Sequence, residues 1–269
     1  MNNETDIFVR LGRWSLLRLS LVSDILVLLG QAFKNSLPAM RHGNAAIRKV
    51  LFKQIYFTGL EASGIIVTIA VILGAVVITQ VVSLVGNNGS LTGKILVWVV
   101  LRELAPLLTA IIVIARSGTA IAAELGSMKI NGEIEAIEML GIPSDRYLIL
   151  PRIMGVTLSV VILTFYFVLS SCVASFLIAS FVWHIPYQQF VQGIMQSLGA
   201  TEVIVLFSKS LVFGLCISAT CCCYGLGVGR SATEIPQAAT KAVMASLFAV
   251  FFLDALITYL ASISTSLIS

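Results

Sequence analysis

Charge is scarce in this chain. Of its 269 residues, 11% are Asp, Glu, Lys or Arg and 58% are hydrophobic, where a soluble domain carries about 25% charged residues. That scarcity excludes an ordinary solvated domain. Histidine is rarer still. His42 and His184 have no carboxylate or cysteine nearby at ligand spacing, which argues against a zinc centre. The five cysteines, at 172, 216, 221, 222 and 223, all lie in apolar runs, so neither a disulfide framework nor a metal site is their natural reading. Cys221-Cys222-Cys223 reads as small apolar packing. No nucleophile elbow is present. The nearest approach to a phosphate-binding loop, at Gly93-Lys94, has Asn88 for the first glycine and Ile95 for the hydroxyl residue. ATP hydrolysis by that route is excluded, no cofactor is implied, and uphill transport needs energy from a partner or an ion gradient. The first 33 residues lack a short apolar core followed by a small-residue cleavage site.

What the chain has instead is apolar length. No charge occurs over 32 residues from Ala62 to Gly93, over 31 from Ile153 to Trp183, or over 20 from Ser210 to Gly229. A helix crosses the hydrocarbon with about 20 apolar residues. Backbone amides in lipid must find partners, so spanning segments are helices or closed barrels. These runs are too uniformly apolar for the alternation of barrel strands. The expected fold is all-α and polytopic, with five spans at about 56–85, 93–123, 147–182, 203–227 and 240–263. Gly59, Gly64 and Gly74 are expected to allow close helix contact in the first. Pro106 lies inside the second, where it frees a backbone carbonyl and bends the helix. Residues 183–202 form a polar interval with Pro186 and four glutamines.

Two domains are expected. Residues 1–40 form a membrane-associated helix and residues 41–269 the five-helix body. Arg10, Arg13, Arg18, Asp24 and Gln31 give the first segment a charge density that favours lying at the interface. The alternative is a short crossing helix from about Leu19 to Phe33. Pro38 breaks the chain before a basic stretch with Arg41, Arg48, Lys49 and Lys53. The net charge of +4 follows the positive-inside rule rather than a nucleic-acid interface. Eight basic residues precede the first span, and Lys129, Arg146, Arg152, Arg230 and Lys241 fall on the same side; Lys94 and Lys209 are the main exceptions. This places the amino terminus and the loop after the second span inside.

Charge is concentrated between Arg102 and Arg152. Arg102-Glu103-Leu104-Ala105-Pro106 is followed by Arg116-Ser117-Gly118, then Glu124-Leu125-Gly126-Ser127-Met128-Lys129, then Glu133 to Gly141, and finally Pro151-Arg152. Ile130, Ile134 and Ile137 repeat at helical spacing while Glu135 and Glu138 take another face. Gly141 and Pro143 end this short helix. Such a helix between two spans suits docking into a groove of a soluble partner, or is an ordinary solvated loop helix. Arg102, Glu103, Lys209 and Asp254 are the charges placed deepest within spans. Neighbours in a helix do not face each other, so Arg102 and Glu103 are expected to find partners elsewhere, with Lys209 and Asp254 of suitable sign. Intramembrane charges pair with one another or line a wet cavity, so structural ion pairs and a polar headgroup path are both open.

These strings resemble the MlaE (YrbE-like) permeases. The match rests on Arg102 to Ala110, Arg116-Ser117-Gly118, Ala122 to Lys129, Glu133 to Gly141, and Arg146-Tyr147-Leu148 through Pro151-Arg152. A weaker likeness extends from about Gln54 to Tyr259. The resemblance implies a permease subunit of an ABC transporter moving phospholipids between inner and outer membranes, in the bacterial inner membrane and without catalytic activity of its own. It implies an amino-terminal helix that does not cross and a second copy of the chain. Partners would be a cytoplasmic ABC ATPase bound near 131–141 and a periplasmic MCE-domain protein. By position, Arg102, Glu103, Leu104, Val77, Lys209 and Asp254 fall at the family's lipid cavity. Glu133, Glu135, Ile137, Glu138, Met139 and Leu140 fall on its ATPase-coupling helix. The family more often has glycine at Ala105 and often glutamine at Gly132. The same architecture carrying sterols or other hydrophobic molecules is an alternative. An ion-coupled carrier is a further one, although only Pro106 breaks a helix and no second repeat is evident.

Overall fold

The computed structural model describes residues 45–86, 88–229 and 231–268, together with Gly30. The helix expected within residues 1–40 lies outside these. The described residues are helical almost throughout, with no strand among them. Five helices are long and apolar enough to cross a membrane: Arg48–Val85, Gly89–Ile130, Tyr147–Trp183, Ala200–Leu226 and Glu234–Ile263. The chain is a multi-pass, all-α membrane protein. Most of these helices overrun the expected spans, because hydropathy marks the lipid-covered part and not where hydrogen bonding stops.

The third span is the centre of the bundle. It packs along the first and the fourth, and the fourth packs along the fifth. The last three turns of the second span, Thr119–Ile130, lie against the fourth and fifth. A continuous apolar core threads all five, including Ile66, Ile78, Leu96, Val113, Leu125, Ile153, Leu163, Phe167, Phe213 and Val250. The first and third spans meet closely at Gly74, whose absent Cβ would lie 2.6 Å from the Ser171 carbonyl oxygen. Ser175 Oγ donates to the Gly74 carbonyl there at 2.9 Å. Gly64, expected to allow a similar contact, faces open space.

Three departures from plain α-helix matter. Tyr56–Leu60, Val97–Leu104 and Ile114–Gly118 are π-helical, a form concentrated at functional sites. The second of these ends just before Pro106, which takes up the first turn of the α-helix Ala105–Val113. The proline is thus accommodated by widening the preceding turn.

The polar interval after the third span contains a helix that hydropathy does not reveal. Tyr187–Ser197 packs on Gly89–Leu96 at the start of the second span. Its inner face is Phe190 and Gly193, and its glutamines are largely exposed. Asn88 is the N-cap of the second span, its Oδ1 accepting from the Leu91 N–H at 3.3 Å.

Candidate functional site

The deep charges converge. Lys209 on the fourth span is wholly buried. Three oxygens surround its ammonium: the Arg102 carbonyl at 2.9 Å, Glu103 Oε2 at 2.8 Å and Asp254 Oδ1 at 2.8 Å. An α-helical Arg102 carbonyl would accept from residue 106, which as proline has no N–H to give. The carbonyl turns to Lys209. The second, fourth and fifth spans are thereby tied at one point, inside a medium where each unpaired charge costs several kcal/mol.

Glu103 accepts a further hydrogen bond from Thr258 Oγ1, at 3.1 and 3.2 Å to its two oxygens. Thr258 follows Asp254 by one helical turn on the fifth span, so both face the same neighbour. Arg102 is buried beside this group. Its Nη1 lies 3.5 Å from Glu202 Oε1 and its Nε 3.8 Å from Glu103 Oε1. Its guanidinium sits 5.8 Å from the centre of the Trp98 ring, within reach of a cation–π contact.

One sequence expectation needs correction here. Arg102 and Glu103 each find their closer partner elsewhere, as expected, Glu103 in Lys209 at 2.8 Å and Arg102 in Glu202 at 3.5 Å, with only a loose approach of 3.8 Å between the two themselves. The principal counter-ion of Arg102 is Glu202, which the sequence sets in the polar interval. It stands in the first turn of the fourth span. The helix Ala200–Leu226 begins three residues earlier than the hydropathy suggests, and that turn carries Glu202 to Arg102. The available signal was the heptad from Glu202 to Lys209, which places both on one helix face. Val77 and Leu104, the expected apolar cavity residues, are partly buried and pack against the common core.

Further ion pairs tie the other end of the bundle. Arg116 Nη2 binds Glu61 Oε2 at 2.5 Å, and its Nη1 donates to the Phe57 carbonyl at 3.2 Å. Both helices are π-helical at this crossing. Arg152, almost wholly buried, pairs with Glu124 at 3.0 Å. Lys129 donates to the Leu226 carbonyl at the end of the fourth span. The strings Arg116-Ser117-Gly118, Glu124 to Lys129 and Pro151-Arg152 are therefore largely struts.

The helix between the second and third spans is Glu133–Met139. Gly132 precedes it with φ 71° and Gly141 follows with φ 76°, a left-handed backbone open to glycine at no steric cost. Ile134 is buried and Ile137 half-buried, while Glu133, Glu135, Glu138, Met139 and Leu140 are exposed. Met139 and Leu140 expose 84% and 77% of their surface, next to Ile142 at 42%. An apolar tip between carboxylates is unusual for a solvated turn and fits a contact surface. The expected isoleucine face is the inward one.

Comparison with known proteins follows the same map. The model of a family described as "Permease MlaE" matches residues 51–260. A "Probable ABC transporter permease protein" of Synechocystis sp. is 30% identical over 79% of this chain and 82% of its own length. Another of the same description, from Pyropia yezoensis, is 27% identical over 78% of this chain and 80% of its own. The chloroplastic protein TRIGALACTOSYLDIACYLGLYCEROL 1 of Arabidopsis thaliana is 29% identical over 75% of this chain and 58% of its own.

Proposed function

Because the chain belongs to the MlaE permease family, we propose that it moves phospholipids between an inner and an outer membrane as the membrane subunit of an ABC transporter. A permease subunit is a transport component and not an enzyme. The ATPase that drives it is a separate cytoplasmic chain docked on Glu133–Met139 and the adjoining Leu140. A periplasmic MCE-domain protein covers the opposite face, and a second copy of this chain completes the lipid chamber. The membrane is the bacterial inner membrane.

The observation that carries the reading is the ionic cluster of Arg102, Glu103, Glu202, Lys209 and Asp254. Five charges gathered within an apolar bundle, with one carboxylate reaching the surface, offer a polar station to a headgroup, while the apolar walls by Val77 and Leu104 suit acyl chains. The Arabidopsis relative carries the name of a lipid, trigalactosyldiacylglycerol, which supports a lipid cargo. The exposed tip Met139-Leu140 supports docking of a soluble partner.

The test is affinity purification from native membranes, with mass spectrometry of both proteins and lipids. An ABC ATPase, an MCE-domain protein and stoichiometric phospholipid are expected in the purified assembly. A sterol or glycolipid in place of phospholipid would keep the permease and change the cargo. Absence of any ATPase would reject the coupling.

A further inference from the structure

Resting on that phospholipid reading, the geometry points to a particular headgroup class: we infer that the cluster receives a primary ammonium, as in a zwitterionic phosphatidylethanolamine, in preference to a net-anionic headgroup. Its cations are sealed and its accessible member is a carboxylate.

The cations are already paired. An ammonium has three protons and no acceptor, and Lys209 Nζ already has three oxygens around it within 2.9 Å. Its side chain is 0% exposed. The Arg102 side chain is 9% exposed, held between Trp98, Glu202 and Glu103. A phosphate arriving at the cluster would meet neither cation without first breaking an existing pair in a low-dielectric site, where that is expensive.

The acceptors are not exhausted. Glu103 is 36% exposed, and a carboxylate offers about four lone-pair sites. Lys209 and the single Thr258 proton occupy part of that capacity. Glu202 Oε2 is buried with no hydrogen-bond partner among the described residues. Three carboxylates face two cations across the group, so one further positive charge would complete it. A headgroup ammonium on Glu103 supplies the charge and the N–H donors together. The phosphate of the same lipid then stays on the outer side, away from the carboxylates. A lipid whose only headgroup charge is its phosphate meets Glu103 as a like charge.

The experiment uses the full assembly in nanodiscs of equal parts phosphatidylethanolamine and phosphatidylglycerol, and measures the lipids retained after delipidating washes. The wild type should retain the ethanolamine lipid with about fivefold preference, the discrimination expected of one partly exposed ion pair. Glu103→Gln should abolish the preference and Glu103→Lys should invert it. Retention in the bulk ratio, or a preference for phosphatidylglycerol, in the wild type overturns the inference while leaving phospholipid transport standing. A wild type that retains no phospholipid overturns both. Should the Glu103 variants fail to fold, the wild-type preference across a series of bulk ratios decides alone.

Discussion

Lys209 takes up the backbone carbonyl of Arg102 at 2.9 Å, a carbonyl that Pro106 could not serve in an α-helical register. Proline, π turn and buried lysine form one device. The proline offers no N–H at the α-helical position, the π turn accommodates its ring, and an ammonium from another span gives the Arg102 carbonyl a charged donor. Such charge-assisted bonds are roughly twice as strong as neutral ones.

Removing Lys209 should therefore be costly. Lys209→Met leaves Glu103 and Asp254 facing each other without their shared cation, and breaking a buried pair costs about 3–5 kcal/mol. The detergent-solubilised protein should unfold at a clearly lower temperature, followed by size-exclusion after heating. Adding Glu103→Gln and Asp254→Asn to Lys209→Met should restore most of the loss. If the triple variant is no more stable than the single one, uncompensated charge is not the cause.

Arg116 is predicted to act by geometry as much as by charge. Its two terminal nitrogens serve different oxygens, Glu61 Oε2 and the Phe57 carbonyl, and its guanidinium lies 5.2 Å from the centre of the Phe57 ring. A lysine offers a point charge without the fork. Arg116→Lys should behave nearly as Arg116→Ala. A double-mutant cycle of Arg116→Ala with Glu61→Gln should give a coupling of about 1 kcal/mol, since the pair is partly exposed. Coupling near zero would reduce the contact to a surface accident.

Much of this architecture is legible in the residues alone, and the parts that are not share a cause. Uncharged runs mark the first, third and fourth spans, since lipid imposes that composition on a crossing helix, and the second and fifth are legible from apolar length despite the charges they carry. Ile134 and Ile137 mark the inward face of the loop helix and Gly141 its end, whereas Ile130, expected on the same face, closes the preceding helix beyond the left-handed turn at Gly132. Arg102, Glu103, Lys209 and Asp254 stand out because charge in an apolar run is expensive. Glu202 and Glu61 do not stand out. Both sit at the rim of a span, where a carboxylate is unremarkable until the fold sets it against an arginine about 100 or 55 positions away. The helix Tyr187–Ser197 is hidden for a related reason. Its buried face is only Phe190 and Gly193, too little to raise hydropathy.

The tip of the loop helix offers a test of docking separate from folding. Met139 and Leu140 touch little of their own chain, so changing both to aspartate should leave stability within about 0.5 kcal/mol, as for other surface positions. Capture of the ATPase should nevertheless fall sharply, because the apolar anchor is lost and two like charges join Glu135 and Glu138. Glu135→Lys with Glu138→Lys should weaken capture while sparing the fold. ATPase capture unchanged in both variants would move the docking surface elsewhere.

Glycines of the first span should divide by what lies opposite them. At Gly74 an added Cβ would meet the Ser171 carbonyl oxygen at 2.6 Å and the Ser171 Cα at 3.0 Å. Those are backbone atoms of a packed helix and cannot swing aside. Gly74→Ala must push the first and third spans apart and stretch the Ser175 bond to the Gly74 carbonyl, at a cost of about 1–3 kcal/mol typical of overpacking. At Gly64 nothing lies within 4 Å, and alanine is the better helix former by about 1 kcal/mol. Gly64→Ala should be neutral or stabilising. Thermal unfolding of the two variants, side by side, measures the difference. A similar loss at both positions would mean that Gly64 also faces a partner, and the free surface of the first span near Gly64 would then be the place to look for the second copy of the chain.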